Sequence, residues 1–464
     1  MIGQKPWSIA DFSGGKNDKL DGNLIANNQC TDVQNCVAVT VGQLQKRKGQ
    51  VKLNSSAIST AVLGLHSYYY GDPVTNRKLI AVFKDGTMYY WDPDTLAFVS
   101  TGKTDLNTSA QVLFETCVSY MVGMNGVDTP FKYNGTTVSA LANAPATGKC
   151  PVLHYEKLFC IADTDTIRWS DSFAPESWPA VNTVDFDKGD GDELSALFSY
   201  RRALLVCKKR SIHKLTGSTL SDFQQFKVEN RHGVSGPKAG IVFGLYFYYI
   251  SEDGIFKFDG AESVDLVTNA IPLTWAGVNK ANLSKAVAGR LGNNLWFHIP
   301  EGISTTNNLV LVYDTELNSW WIFRGIEAFS MIDYNDGVNV KTYTGHATQG
   351  YVVQQDTGYN DLGVAISAYW MGKNFDGGDP VRIKKFKKAF AVDANGLVDS
   401  VFNYRLNYGS WQTPTVVTDL NDVRKYTIAN GKCRYFQPKF THVVLDQEFC
   451  LSGFEAFYKL KKAK

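Results

Sequence analysis

LIAVFKDGTMYYWDPDT, residues 79–95, is an apolar run that stops at Asp85-Gly86 and returns to close on Trp91-Asp92. Asp-Gly favours a two-residue hairpin turn, because both central residues must take positive φ. The same grammar, with an aromatic or apolar residue and then a polar one ending the return strand, recurs along the chain. SYMVGMNGVDTPFKYNGT ends it at Tyr133-Asn134, KLFCIADTDTIRWSD at Trp169-Ser170 and ALLVCKKRSIHKLTG at Leu215-Thr216. LYFYYISEDGIFKFDG ends it at Phe258-Asp259, and LWFHIPEGISTTNNLVLVYDT, with a longer turn, at Tyr313-Asp314. A weaker copy, KTYTGHATQGYVVQQD, ends near Gln354. Successive anchors lie about 36–55 residues apart, close to the ~40–50-residue period of β-propeller blades. A blade packed between two neighbours needs apolar residues on both faces, so its strands are aromatic-rich and do not alternate cleanly. Residues 61–360 are therefore expected to form an all-β propeller of six or seven blades. WD40 and kelch motifs are not found, and a β-solenoid or two tandem sandwiches would share much of this pattern.

The flanks read differently. Residues 1–60 carry Gly14-Gly15, an Asp/Asn-rich stretch and the short run VAVTVG before LQKRKGQ, which predicts an extended, turn-rich arm or platform segment. Residues 361–464 return to long strands: VAISAYWMG, RIKKFKKAFAVDA, SVFNYRLNYGSW, RKYTIA, RYFQPKFTHVVLD and SGFEAFYKLKK. Their period-two alternation, with turn signals at Ala394-Asn395-Gly396 and Ala429-Asn430-Gly431, predicts a separate antiparallel β-sandwich platform. Helix is scarce; SKAVAGR (284–290) and TDVQN (31–35) are read as single turns.

Composition narrows the function classes. A net charge of +2 in 464 residues gives no global field to steer the chain onto nucleic acid. The eight cysteines show no C-x-x-C pair and read as reduced, mostly buried thiols. The N-terminus shows no apolar h-region, and no apolar window is long enough for a membrane span. The expectation is a protein made and kept soluble in a cytoplasm.

Motifs that carry chemistry are few. WSDSFAPESWPAV (169–181) suggests the aspartate box of sialidase propellers, but its Asp171 follows Ser170 directly and the box glycine is missing. DFDKGDGDE (185–193) is the densest carboxylate cluster. As an EF-hand it fails, with Asp190 where glycine is needed and Ala196 where a bidentate acid is needed; it reads as a solvated loop, with a loop-borne cation as the alternative. The histidines at 66, 154, 213, 232, 298, 346 and 442 are scattered without ligand spacing. No catalytic, metal or cofactor set is assigned. RIKKFKK offers Arg382, Lys384, Lys385, Lys387 and Lys388 for phosphate or subunit contact. As a regular strand it would place Arg382, Lys384 and Lys388 on one face with Phe386, and Lys385 and Lys387 on the other with Ile383.

Three N-terminal elements stand in order: Gly14, Gly15 and Asn17; then Ile25, Asn28, Asp32 and Asn35; then Gly42, Leu44, Arg47 and Gly49. With the central S-D-x-x-x-P-x-x-W, G-D-G-D and K-R-S-I elements, they resemble the tail nozzle, or tail tubular protein B-like, virion proteins of short-tailed phages. The resemblance implies a non-enzymatic virion protein of the tail. Such a protein forms a ring, a hexamer, of its own copies and touches the tail adaptor or other tail proteins. It also makes transient contact with exiting DNA, and with a host receptor where one docks. It implies subunit-interface roles for Gly14, Gly15, Asn17, Asp32, Asn35 and Arg47. The chain is too short for large fibre-dock insertions. The competing functions are a receptor- or glycan-binding propeller at a tail tip, and a propeller hydrolase.

Overall fold

Each of the seven return-strand anchors falls on the third strand of a separate antiparallel sheet. Trp91 lies in Met88–Asp92, Tyr133 in Phe131–Tyr133, Trp169 in Thr166–Trp169 and Leu215 in Ile212–Thr216. Phe258 lies in Gly254–Phe258, Tyr313 in Leu309–Asp314 and Gln354 in Val352–Gln355. The computed structural model describes residues 4–38, 42–72, 75–261, 264–393, 400–420, 423–429 and 431–461. Six of these sheets are four-stranded meanders in strict sequence order, over 62–100, 113–140, 149–185, 194–229, 240–266 and 287–324. The seventh begins as a meander over 328–355 and takes its next strand from far away: Gln50–Lys52 pairs antiparallel with Val352–Gln355.

The first strands of the sheets stack on one another in turn. Val62–Tyr69 touches Leu113–Cys117, which touches Lys149–His154, which touches Leu194–Tyr200; Gly240–Phe243 touches Val287–Leu291, which touches Ala328–Asn335. Phe198 and Phe247, 4.8 Å apart, join the fourth sheet to the fifth. Ala328–Asn335 then returns against Val62–Tyr69. The described chain is thus all-β and propeller-like, built mostly of four-stranded antiparallel sheets.

Side chains reach from one sheet to the turns of the next. The Tyr68 hydroxyl donates to the Ser119 carbonyl, and the Tyr200 hydroxyl to the Leu245 carbonyl, both at 2.6 Å. The ammonium groups of Lys78 and Lys214 donate to the carbonyls of Gly135 and Gly260 at 2.6 and 3.2 Å, and Lys157 donates to Ser218. A turn whose carbonyl is held from outside cannot fray independently of its neighbour.

Asn360–Asp361 and Val364–Ala365 extend the seventh sheet beyond Gln50–Lys52, and the remaining strands form two sheets packed face to face. The long sheet runs Cys36–Ala38, Leu44–Lys46, Cys450–Leu460, Lys384–Asp393, Val423–Thr427, Thr415–Leu420, with Lys5–Ile9 also on Cys450–Leu460 and Lys432–Cys433 on Lys384–Asp393. The short sheet runs Cys30–Gln34, Ala368–Gly372, Phe436–His442, Val401–Leu406. Aromatic pairs fill the space between them: Phe386 stacks on Phe436 at 4.3 Å, Phe402 meets Phe454 at 5.3 Å, and Trp7 stacks on Phe375 at 4.3 Å.

Two expectations change. TDVQN is not a turn: Cys30–Gln34 is an edge strand whose Val33, opposite Trp370, is buried. SKAVAGR splits into the end of a 3-10 helix, Lys280–Lys285, and the strand Val287–Leu291 that opens the sixth sheet. Of the first sixty residues, Lys5–Ile9, Cys30–Gln34, Cys36–Ala38 and Leu44–Lys46 are strands of the terminal sheets and Gln50–Lys52 belongs to the seventh. Of the two turn signals, residues 394–396 and Asn430 lie outside the described residues, as do 39–41 within VAVTVG.

Candidate functional site

The N-terminal elements converge on a joint between the two regions. Asn35 sits at φ 54 and is 3% exposed. Its side chain donates to the Ser367 carbonyl at 2.9 Å, and its Oδ1 accepts from the Arg324 amide and from Arg47 Nε, each at 2.9 Å. Arg47, also 3% exposed, forms a bidentate pair with the Asp361 carboxylate and donates to the carbonyls of Arg324 and Lys48. One guanidinium thus ties the first terminal strands to the sixth sheet and to Asn360–Asp361, a strand of the seventh. Gly49 is a glycine because a Cβ there would stand 1.9 Å from the Asn360 carbonyl oxygen.

A second group lies along the edge of the sixth sheet. Gly15, at φ +63, passes so close to Trp320 that a Cβ would stand 2.7 Å from its carbonyl oxygen. The next residue, Lys16, donates its amide to that carbonyl at 2.8 Å. Gly14 donates to the Asn28 carbonyl at 3.1 Å. Asn17 Oδ1 caps the Lys19 amide, and its Nδ2 donates to Gln29. Asp32 accepts from Lys16 Nζ at 2.8 Å and from the Tyr369 hydroxyl at 2.9 Å. All six residues are therefore engaged within the chain. Asn35 and Arg47, assigned to a subunit interface from the sequence, are too buried to reach a partner.

The basic strand is rearranged by a bulge between Phe386 and Lys388, which shifts the alternation by one residue. Lys384 and Phe386 point inward, and Lys388 crosses to the outer face. Lys384 is fully buried, donates to the carbonyls of Asp379 and Arg434, and is held below the usual lysine range by burial; it is unavailable to DNA or a subunit. Arg382 precedes the strand and lies 3.9 Å from Asp379. Lys385 stands directly opposite Lys459 on one side and Lys432 on the other. Directly opposed like charges destabilise a sheet, and none of these three lysines has an acidic partner among the described residues. Next to this row, on the same outer face, lie Lys387, Lys388, Lys425 and the half-buried pair Phe390–Phe457, 5.8 Å apart. Lys432, Lys425 and the two phenylalanines escaped sequence reasoning, and only strand register sets them and the tail's Lys459 beside RIKKFKK.

The carboxylates of 185–193 are neutralised by the chain itself. Lys208, fully buried, donates to Asp165 at 3.0 Å, Asp190 at 2.7 Å and the Asp187 carbonyl at 3.2 Å. Asp187 pairs with Lys227, Asp185 with Lys188 and Glu193 with Lys209. Asp192 accepts from the Arg210 amide and the Ser211 hydroxyl. The WSDSFAPESWPAV corner is likewise closed on itself: Asp171 accepts from Ser177 and Asn182, and the Trp178 indole donates to the Pro175 carbonyl. Trp178 is buried in a cluster with Val122, Met124 and Leu158, between the second and third sheets. Its role there is packing.

All eight cysteines are buried and none is in a disulfide, and burial pushes the Cys117 thiol up to about 11. Burial holds the imidazoles of His66 and His154 down at about 4, so both are neutral. Among the described residues, no group of three or more His, Cys, Asp and Glu side chains is placed to hold a metal ion, and no helix is long and apolar enough to cross a membrane.

No family model matches the chain, and no curated protein matches it. Among solved structures it is similar to the computationally designed Ika8 protein, at 13% identity and TM-score 0.42, over 66% of this chain and 100% of that one. It is also similar to U3-55K, at 10% identity and TM-score 0.44, over 66% of this chain and 98% of that one.

Proposed function

We propose that the chain is a structural subunit of a phage tail, a nozzle or hub protein that assembles into a ring of its own copies. In this reading the seven sheets are the blades of one closed β-propeller, fastened by Gln50–Lys52, and the two terminal sheets are the platform through which copies meet. The supporting observation is the outer face of the long sheet. A row of three opposed lysines beside a half-buried aromatic pair costs stability in an isolated chain, and a covering acidic or phosphate surface offsets that cost. A rigid disc with a tightly jointed platform also suits a ring, because heterologous contacts close only if each copy holds one fixed shape.

DNA, in this account, does not pass through a propeller axis. The axial cavity, lined by Phe114, Phe198 and Met331 among others, measures about 300 Å³ and is far too narrow for a duplex. A channel has to lie between copies. The test is the particle mass of the purified chain at low ionic strength, compared with a Lys385→Glu/Lys432→Glu/Lys459→Glu variant. Ring-sized particles that the triple variant cannot form are expected; identical masses for the two proteins would remove the lysine row from the assembly.

A further inference from the structure

The axial cavity holds two ionisable groups that no other part of the account uses. Its wall draws on the first strands of all seven sheets and mixes polar and apolar surface, with Val152, Leu197, Val287 and Met331 among its apolar residues. Lys238 lines it from the segment that enters the fifth sheet, where its backbone bridges to Val287. The ammonium makes a single long hydrogen bond among the described residues, to the Phe329 carbonyl at 3.4 Å, and has no acidic partner. The lysine retains some exposed surface although protein surrounds it. That surface therefore faces the cavity. Burial lowers its pKa to about 8, so it still carries its charge at neutral pH.

The other groups around the cavity do not neutralise it. Glu115 is raised to about 7 by burial, and its carboxylate accepts from the Thr116 amide at 3.0 Å. His66 is neutral and bound to the Thr116 hydroxyl at 2.8 Å, and the Cys150 thiol is pushed up by burial. A partly buried cation with free donors and no ion-pair partner is costly. A ligand that brings one negative charge and an apolar body would relieve that cost, and the apolar side chains of the wall would hold the rest of it.

We propose that the axial cavity is a binding site for a small amphipathic monoanion of the short-chain carboxylate class, with its carboxylate on the Lys238 ammonium and its hydrocarbon against Val152, Leu197, Val287 and Met331. Inorganic phosphate fits less well, because a dianion needs more donors than one lysine supplies.

Calorimetric titration of the full chain with butyrate, with butylamine and inorganic phosphate as controls, tests this. Saturable binding of butyrate alone is expected. Lys238→Met should weaken it about tenfold or more, the loss of one charge-assisted hydrogen bond, while folding at least as stably because a buried charge is gone. Leu197→Trp, which fills the cavity and keeps the lysine, should also abolish binding. No saturable butyrate binding, equal binding of phosphate, or affinity retained in either variant would overturn the proposal. None of these results bears on whether the chain forms rings.

Discussion

The seven radial sheets and the two terminal sheets are built from the same residue types by opposite connectivity. In the first region a strand pairs with the next one in the sequence, as when Met88–Asp92 pairs with both Arg77–Phe83 and Ala97–Ser100. In the second, Lys5–Ile9 pairs with residues 454–458, and Cys30–Gln34 with Ala368–Gly372. Local pairing closes short loops and writes itself into the sequence as a period; distant pairing pays for long loop closure and leaves no period. The two regions meet where the N-terminal chain serves both, with Leu44–Lys46 in the long sheet and Gln50–Lys52 in the seventh radial sheet, six residues on.

That difference predicts where damage spreads. Deleting residues 4–52 should have the largest effect, because it strips strands from both terminal sheets and opens the seventh radial sheet. We expect loss of a single cooperative unfolding transition in calorimetry; a normal transition would show that the two regions are independent. Arg47→Met comes next. It leaves Asp361, Asn35 and two carbonyls without their partner, at a cost of about 3–5 kcal/mol in denaturant unfolding, with both regions affected together.

Changes inside the radial region should be smaller and stay local. Asp190 is held below the ordinary carboxylate range chiefly by its hydrogen bond to Lys208, and Asp165 by the Gly189 amide and then by Lys208. Groups with depressed folded pKa values contribute stability above the unfolded value and lose it as pH falls through the folded one. The melting temperature should therefore drop on acidification below the ordinary Asp value of 3.8. Asp190→Asn should blunt that drop, whereas an unchanged pH profile would exclude the network as its source. The smallest effect belongs to Tyr200→Phe, which removes one of the two side-chain donors to the Leu245 carbonyl and leaves Arg201 on it. It should cost about 1 kcal/mol and raise hydrogen exchange only at the hairpin turn of the fifth sheet.

The comparison also explains what could be read from the sequence. All seven return-strand anchors, including the weak copy at Gln354, mark third strands, because a hairpin and its turn are specified within about twenty residues. RIKKFKK was legible as basic, but not its geometry. The bulge before Lys388 moves that residue to the outer face, and register alone sets Lys432 and Lys459 beside Lys385. The acidic loop showed its charge and not its neutralisation, since Lys208 and Lys227 follow 18 and 40 residues after the aspartates they meet. The Asn35 and Arg47 elements stood out in the sequence, yet their partners Asp361, Ser367 and Arg324 lie about 280–330 residues away.

Electron microscopy of the purified full-length chain tests the assembly account most directly. Closed rings are expected, each copy a seven-bladed disc joined to its neighbours through the terminal sheets, with the lysine row covered at the contact. Particles that remain single discs at high protein concentration and low salt, with the lysine row open to solvent, would contradict it.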